Sequence, residues 1–230
     1  MSARRGALIV IEGAEGVGKT TQIALLVARL RELGIPHVAV REPGGTALGD
    51  EIRRLLLDPA GRIGARAEAL LFMASRAQLI DDVVRPALAA GHVVLADRFF
   101  LSTYAYQVEG RGLGELEAEI RATNDFATGG LVPDLTILLD LPLGVGLARA
   151  ASRGGPDRME QSGDAFHTRV TLAFRDFATA GWQAAHPECG AIHLVDASGD
   201  PEEVATRVWR ALAALRPETF GVRTGSKLNA

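Results

Sequence analysis

The residues with the clearest chemical meaning form a glycine-rich segment near the start of the chain. The segment follows an apolar run at residues 7–11 and leads into a helical pattern. Triphosphate oxygens need several backbone N–H donors from one side, and glycines let the backbone come that close. Lys19 then reaches the β- and γ-phosphates, and Thr20 supplies a hydroxyl ligand to the magnesium ion between them. The predicted nucleotide-binding residues are Gly13, Ala14, Glu15, Gly16, Val17, Gly18, Lys19, Thr20 and Thr21.

A second candidate site follows another apolar run, at residues 93–96. There Asp97 can hold the magnesium ion or its water, and Arg98 can bridge the donor and acceptor phosphates. The alternative for these two residues is an ion pair within the core. We predict Thr20 and Asp97 as the metal-binding residues, with Asp157 and Glu160 as alternative direct or water-mediated partners.

Two arginines further along the chain indicate a lid. Arg149 and Arg153 lie four residues apart, so they share one face of a helix that leads into a glycine-rich loop at residues 154–158. Arginines on a closing loop can stabilise charge on a moving phosphoryl group and exclude water. The alternative is an ordinary solvated helix end. The predicted catalytic residues are Lys19, Asp97, Arg98, Arg149 and Arg153.

Length, charge and cysteine content narrow the class of protein. The chain has 230 residues, a net charge of −3 and one cysteine, Cys189. This length suits one α/β domain, and the charge disfavours nucleic acid as a partner. The single cysteine excludes an internal disulfide, and no signal-peptide pattern or membrane-length apolar run is present, so we expect a cytoplasmic protein with no membrane partner. Five histidines, at positions 37, 92, 167, 186 and 193, lack the spacing of a metal site or triad, and we interpret them as structural or surface residues.

The order of apolar and helical segments predicts the fold. Apolar runs at residues 7–11, 37–41, 93–96, 135–140 and 192–195 alternate with segments of helical periodicity. Such strands indicate a parallel sheet covered on both faces. We therefore predict an α/β P-loop NTPase fold, with a doubly wound sheet of five parallel strands, helices on both faces and ligands at the carboxyl ends of the strands.

Domain boundaries and the longest helices follow from the same patterns. One domain is expected over residues 1–216, with a lid loop at about 150–163 and a flexible tail at 217–230. Long helices are predicted at residues 67–90, with a bend or break at Pro86, and at residues 165–185.

The remaining motifs favour a kinase among P-loop proteins, which also include GTPase switches and motors. The sequence contains no Asn-Lys-x-Asp tetrapeptide of the kind that reads guanine in GTPase switches. The chain also offers no obvious general base, and a phosphate monoester acceptor needs none, because its oxygen is already deprotonated near neutral pH. A kinase with a phosphorylated acceptor fits these observations, and a nucleotide-binding scaffold without transfer activity is the alternative.

Further motifs follow the P-loop in a specific order. They are Arg41-Glu42-Pro43-Gly44-Gly45-Thr46, the segment 72–76, Asp97-Arg98 with Ser102-Thr103 and Ala105-Tyr106-Gln107, Pro133-Asp134, Asp157-Arg158-Met159-Glu160, and Val195-Asp196-Ala197-Ser198. Together with the P-loop, they resemble the bacterial thymidylate kinases over nearly the whole chain. The resemblance implies a homodimer that transfers the γ-phosphoryl group of ATP to dTMP with Mg²⁺, giving dTDP and ADP in dTTP biosynthesis. A kinase of another nucleoside monophosphate is the nearest alternative.

The resemblance also implies how the acceptor base and sugar are held. Phe72 stacks on the thymine ring, and Arg76, one helical turn later, donates to its exocyclic oxygen. Thr103 and Gln107 are implied to read the base, and Tyr106 to crowd the 2′ position of the sugar.

The phosphate side of the acceptor site is implied in the same way. Arg53 and Arg98 are implied to hold the dTMP phosphate, Glu42 and the turn after it to shape the site, and Glu15 to face the sugar hydroxyl. The implied acceptor residues are Glu15, Glu42, Pro43, Arg53, Phe72, Arg76, Arg98, Ser102, Thr103, Tyr106 and Gln107.

Three positions distinguish this chain within the family that it resembles. Gly16 stands where some relatives have a basic residue, which implies that the catalytic arginine comes from the lid, with Arg153 as the first candidate and Arg149 as the second. Phe99 replaces a common tyrosine, and Val108 replaces a common glycine. We expect neither replacement to affect the phosphate chemistry.

Overall fold

The computed structural model describes residues 6–151 and 157–221. The strands in this part of the chain are β1 (Ala7–Glu12), β2 (His37–Arg41), β3 (Val93–Asp97), β4 (Leu135–Asp140) and β5 (Ile192–Asp196). All neighbouring strands are parallel, in the order β2-β3-β1-β4-β5. The predicted sheet of five parallel strands is confirmed.

Helices connect these strands. The α-helices of the described residues are α1 (Lys19–Glu32), α2 (Ala47–Leu57), α3 (Ala65–Leu79), α4 (Arg85–Ala89), α5 (Phe100–Thr103), α6 (Glu117–Thr128), α7 (Leu143–Ala151), α8 (Asp164–Phe177), α9 (Ala180–Ala185), α10 (Pro201–Leu215) and α11 (Pro217–Phe220). Shorter turns are π-helical at Ile80–Val84 and Tyr104–Gly110, and 3-10 at Gly114–Leu116, Glu160–Ser162 and Pro187–Cys189. None of the helices within the described ranges is long and apolar enough to cross a bilayer.

The central strand β1 explains why the sheet is covered on both faces. Successive residues of a strand face opposite sides, and every residue of β1 is buried. Leu8 and Val10 belong to one apolar cluster, whereas Ile9 and Ile11 belong to a second. Helices complete both clusters, so the sheet is doubly wound. In such a sheet, ligands bind at the carboxyl ends of the strands.

The two long helices predicted from periodicity are both interrupted. Residues 67–90 form α3, a π-helical turn and α4, so the interruption lies ahead of Pro86, which sits in the first turn of α4 where proline is tolerated. The single helix predicted at residues 165–185 is wrong, because α8 ends before Thr179. The Thr179 backbone is extended, and its hydroxyl accepts a hydrogen bond from the N–H of Trp182, which caps α9.

Residues 217–221, predicted as the start of a flexible tail, pack on the fold. Pro217–Phe220 form α11, and Phe220 is buried with its ring edge-on to Trp209, 5.7 Å between centroids. Arg216 also pairs with Asp134, 3.0 Å between Nη2 and Oδ1. Apolar burial and this ion pair therefore hold residues 217–221 on the fold, and residues 222–230 lie outside the described part.

Candidate active site

The phosphate-binding loop connects β1 to α1 at the carboxyl edge of the sheet. Gly13, Gly16 and Gly18 have φ angles of 138°, 74° and 97°, a region that glycine adopts without strain. Lys19 Nζ donates hydrogen bonds to the carbonyl oxygens of Gly13 and Ala14, both at 2.8 Å. Burial lowers the pKa of Lys19 to about 7. The ammonium group thus lies inside the loop, where negative phosphate oxygens would favour its charged form.

Helix α7 packs directly on this loop. A Cβ atom at Gly16 would lie 1.9 Å from the carbonyl oxygen of Gly146, and one at Gly146 would lie 2.7 Å from the carbonyl oxygen of Glu15. No side chain fits at either position without moving the backbone. This contact gives a physical reason why position 16 is glycine here rather than a basic residue.

The two predicted metal-binding residues meet at the same edge. Thr20 Oγ1 lies 3.3 Å from Asp97 Oδ2. Two oxygen ligands suit Mg²⁺, which usually keeps several waters and substrate oxygens, so the pair fits this ion. The alternative metal partners, Asp157 and Glu160, hydrogen-bond to each other instead. Asp157 Oδ1 accepts from the N–H of Glu160, and Glu160 Oε2 accepts from the N–H of Asp157. Within residues 6–151 and 157–221, no group of three His, Cys, Asp or Glu forms a metal cluster.

A cavity of about 160 Å³ opens beside the loop. Its walls come from the segments that follow β1, β2 and β3, from α2, α3 and α5, and from the π-helical turn after α5. All eleven residues implied for the acceptor site line it, namely Glu15, Glu42, Pro43, Arg53, Phe72, Arg76, Arg98, Ser102, Thr103, Tyr106 and Gln107. Leu57, Asp157, Met159 and Glu160 complete the lining. The structure thus brings these residues together, and the role of each stays a prediction.

Arg98 lies between the loop and the cavity. Its φ angle of 73° is in the left-handed region, which is unfavourable for a residue with a side chain. Nη1 donates to Ser102 Oγ at 3.0 Å and lies 3.4 Å from the carbonyl oxygen of Gly13. The guanidinium also lies over the Tyr106 ring, 4.8 Å from its centroid. Its positive charge therefore faces both the phosphate-binding loop and the cavity.

Arg76 is 2% exposed, and its guanidinium donors are fully engaged. Nε and Nη2 both lie 2.7 Å from Glu42 Oε2, and Nη2 also donates to the carbonyl oxygen of Phe99 at 3.0 Å. Nη1 donates to Thr103 Oγ1 at 3.1 Å and to Asn124 Oδ1 at 2.8 Å. These contacts use the five N–H groups of the side chain. They fix the wall of the cavity that the predicted base-reading residues form.

The family follows from a comparison with known proteins. A family model described as thymidylate kinase matches residues 11–208 of the chain. The chain belongs to the thymidylate kinase family. The resemblance inferred from the motifs is confirmed.

Individual relatives in the thymidylate kinase family match over most of their length. A thymidylate kinase from Deinococcus radiodurans is 46% identical over 214 residues, covering 91% of this chain and 97% of the relative. One from Synechococcus sp. (strain JA-2-3B'a(2-13)) is 52% identical over 211 residues, with 91% and 95% covered. One from Pseudomonas putida (strain W619) is 48% identical over 210 residues, with the same coverage.

Glu12 is a site residue to which none of the motifs points. It is fully buried at the end of β1, and its carboxylate accepts hydrogen bonds from the N–H groups of Phe99 and Ser102, at 2.8 and 3.0 Å, and from the Ser102 hydroxyl at 2.7 Å. Burial raises the pKa of Glu12. These bonds hold the backbone that directly follows the strained Arg98. A carboxylate directly after an otherwise apolar strand is the sequence signal for it.

Glu68 organises the far side of the cavity. Its carboxylate is fully buried and accepts from Gln107 Nε2 at 3.0 Å, from Arg111 Nε and Nη2 at 3.0 Å, and lies 2.8 Å from Arg158 Nη1. Arg158 Nε also donates to the carbonyl oxygen of Leu56 at 2.7 Å. Glu68 therefore joins α3, the π-helical turn and the described part of the predicted lid. A charge on the buried face of an amphipathic helix is the signal for it.

His167 is one of the histidines interpreted as structural or surface residues, and the structure buries it next to the phosphate-binding loop. It is 5% exposed, and its Nδ1 lies 3.7 Å from Glu15 Oε2 in the phosphate-binding loop. Burial alone would raise the pKa of Glu15, but His167, Arg98 and Lys19 outweigh it and lower this pKa to about 2. His167 thus lies next to a site residue, although its spacing in the sequence gives no sign of that.

Only one of the two predicted lid arginines lies within the described residues. Arg149, on α7, lines a second cavity of about 330 Å³ together with Gly18, Thr21 and Pro201, on the other side of the phosphate-binding loop. Arg153 lies outside the described residues. Its role in transfer stays a prediction.

The two departures from the family pattern lie in the core. Phe99 is 3% exposed, and the Arg76 guanidinium lies 5.3 Å from its ring centroid. Val108 is 2% exposed and lies within the π-helical turn. Both side chains therefore pack behind the cavity.

Proposed function

We propose that this chain catalyses the Mg²⁺-dependent transfer of the γ-phosphoryl group of ATP to dTMP, giving dTDP and ADP for dTTP biosynthesis. The observation that carries the proposal is the position of Arg98 between two sites. On one side lies a phosphate-binding loop, and on the other a cavity lined by the acceptor residues that the family pattern implies. Membership of the thymidylate kinase family supports the choice of acceptor.

The donor site uses the loop, α1 and the second cavity. The loop N–H groups and Lys19 bind the triphosphate, and the cavity beside Gly18, Thr21 and Arg149 receives the rest of ATP. Thr20 and Asp97 hold Mg²⁺, directly or through water. When bound, the ion neutralises charge on the β- and γ-phosphates.

The acceptor phosphate binds between two arginines. Arg53 Nη1 already donates to the carbonyl oxygen of Pro43 at 3.0 Å, and Arg53 and Arg98 line the same cavity. They place a phosphate oxygen towards the loop without a general base, because the monoester is largely ionised at neutral pH. Arg153, with Arg149 as the second candidate, stabilises charge on the phosphoryl group during transfer.

Base selectivity comes from the opposite end of the cavity. Phe72 is partly buried and presents its ring there, while Thr103 and Gln107 are buried with polar groups near the lining. A ring that stacks supplies affinity, and the polar groups select the base.

The decisive experiment measures ADP release from Mg-ATP with dTMP, dUMP, dCMP or dGMP offered separately, and with no acceptor. Turnover that is much faster with dTMP supports both the reaction and the acceptor. Equal rates with several acceptors would refute the base pocket, and ATP binding without turnover would support a scaffold. Lys19→Ala serves as the inactive control, because it removes the charge inside the loop.

The lid assignment has its own test. Arg153→Ala is expected to lower kcat by about a hundredfold while KM for dTMP changes little, because an arginine that acts on the transferring group contributes in the transition state. A smaller effect is expected for Arg149→Ala. Normal turnover of Arg153→Ala would show that the assignment is wrong.

We also propose a homodimer, and a cytoplasmic location in keeping with the single, buried Cys189. Neighbouring helices α2, α3 and α6 expose Leu48, Leu55, Leu70 and Phe126, the last at 89%. Such an apolar face suits a second copy of the chain. Leu70→Glu is expected to give monomers by light scattering, whereas Leu172→Glu, at an exposed site on α8, should leave the mass unchanged.

A further inference from the structure

His167 joins two parts of the site that are far apart in sequence. It lies in the first turns of α8, buried between the phosphate-binding loop and the 3-10 turn Glu160–Ser162. Nε2 lies 3.0 Å from the carbonyl oxygen of Glu160, and Nδ1 faces Glu15 Oε2 at 3.7 Å. Nδ1 makes no hydrogen bond to any described group, and the Glu15 carboxylate is the charged group that it faces. The ring therefore spans from the 3-10 turn Glu160–Ser162 to the acid of the phosphate-binding loop.

The two partners determine which form of the ring fits. A backbone carbonyl and an ionised carboxylate are both acceptors, and a neutral imidazole has only one N–H to donate. A neutral ring that keeps its bond to Glu160 points a lone pair at Glu15. Only the imidazolium donates to both.

The charged groups around the ring agree with this requirement. Glu15 faces it from the loop, Asp164 lies on its own helix, and the carbonyl of Glu160 faces it from the 3-10 turn. The Glu15 carboxylate raises the pKa of His167 against the effect of burial. Arg98 and Lys19 act on the other side of Glu15 and keep it ionised.

We propose that His167 is a positioning residue that holds the Glu15 carboxylate towards the acceptor sugar and ties it to the 3-10 turn Glu160–Ser162. The proposal rests on the proposed function and deepens it. Glu15 is among the described residues that line the cavity, and His167 is not, so His167 acts through Glu15. Because Glu15 is assigned to the sugar rather than to the phosphate, loss of this contact affects acceptor binding more than transfer.

Two substitutions separate the two contacts of the ring. In His167→Asn, the side-chain amide reaches the position of Nδ1, so it can donate to Glu15 but does not titrate. In His167→Gln, the amide reaches the position of Nε2, so it keeps the bond to Glu160 and loses the contact with Glu15. Both are polar and of similar size, which makes each the control for the other.

The kinetic test measures kcat and KM for dTMP from pH 6.0 to 9.5 at saturating Mg-ATP, with KM calculated for the dTMP dianion. For the unaltered chain, KM is expected to rise about tenfold as His167 loses its proton, with kcat nearly constant. His167→Gln should show the high KM at every pH. His167→Asn should show the low KM at every pH. Equal behaviour of the two variants, or a pH dependence that survives in both, would overturn the proposal.

A second measurement does not depend on activity. Imidazole ¹⁵N resonances of the free protein give the pKa of His167 directly. Glu15→Gln is expected to lower that pKa, because the anionic partner is gone. An unchanged pKa would overturn the proposal. If the pKa moves but dTMP is not a substrate, the proposed function fails while the coupling of His167 to Glu15 stands.

Discussion

The carbonyl oxygen of Gly146 packs against Gly16, at a distance that leaves no room for a Cβ atom. Gly146 belongs to α7, the helix that carries Arg149, and Gly16 belongs to the phosphate-binding loop. The helix and the loop are therefore fixed relative to each other by direct backbone contact. The position of Arg149 beside the second cavity depends on this contact.

Gly146→Ala is expected to raise KM for ATP by about tenfold, because overpacking against the Glu15 carbonyl shifts the loop or the helix. Gly144→Ala, in the same helix, is the matched control, since a Cβ there meets no atom within 4 Å. Both changes add similar helix propensity, so only the packing differs. Steady-state kinetics with varied ATP gives the comparison, and equal KM values for the two variants would contradict the proposed contact.

Arg98 offers a test of strain at a functional residue. Arg98→Gly should be more stable than Arg98→Ala by about 1 kcal/mol, because glycine relieves the positive φ angle and alanine does not. Both variants should lose at least about a hundredfold in kcat/KM for dTMP, since both lack the charge that faces the two phosphates. Urea unfolding and turnover measure the two effects separately. If alanine proves as stable as glycine here, no strain is stored at this position.

The low pKa of Glu15 predicts an acid-dependent contribution to stability. The folded-state pKa is about 2, below the usual value of 4.5, so the contribution is complete above pH 4.5 and is lost as the pH falls towards 2. With about 1.4 kcal/mol per pKa unit, it is on the order of 3 kcal/mol. The stability difference between the unaltered chain and Glu15→Gln should therefore shrink between pH 4.5 and 2. A difference that is constant across this range would show that Glu15 is not held in its charged form.

The Glu68 cluster predicts that loss of a buried ion pair lowers the free energy of unfolding much more than loss of an exposed one. Glu68→Gln leaves Arg111 and Arg158 facing a neutral amide, and a loss of about 3 to 5 kcal/mol in the free energy of unfolding is expected. The control is Glu51→Gln, whose partner Arg54 is exposed, so its loss should stay below about 0.5 kcal/mol. Denaturant unfolding of the two variants measures both losses. Similar small losses would mean that solvent reaches the cluster.

Apolar patterning was sufficient to predict the sheet, for physical reasons, and the resemblance to a known family supplied eleven of the residues that line the cavity. Apolar runs such as residues 135–140 have one stable arrangement when helices separate them, and parallel strands bring their carboxyl ends to one edge. Arg53 and Tyr106 reach the same cavity because the segments that follow β2 and β3 meet there. Residues from motifs that are far apart in the sequence therefore line the same cavity.

Contacts between segments could not be predicted in this way. His167 is one residue of an amphipathic helix, and only the packing of α8 on the loop brings it to Glu15. The break at Thr179 depends on a cap that competes with continuous helical periodicity. Phe220 lies in a segment that resembles a tail in composition, and its burial depends on Trp209, which lies on α10.

The full engagement of Arg76 has a consequence for how a base is chosen. A thymine oxygen that accepts from this guanidinium must share or replace a protein partner, so the correct base gains little net free energy from the bond. A wrong base that displaces a partner and offers nothing in return leaves a buried charge poorly bonded, which is costly. Selectivity at this wall then depends on the Arg76 hydrogen bonds that a wrong base breaks, rather than on the hydrogen bond that the correct base forms.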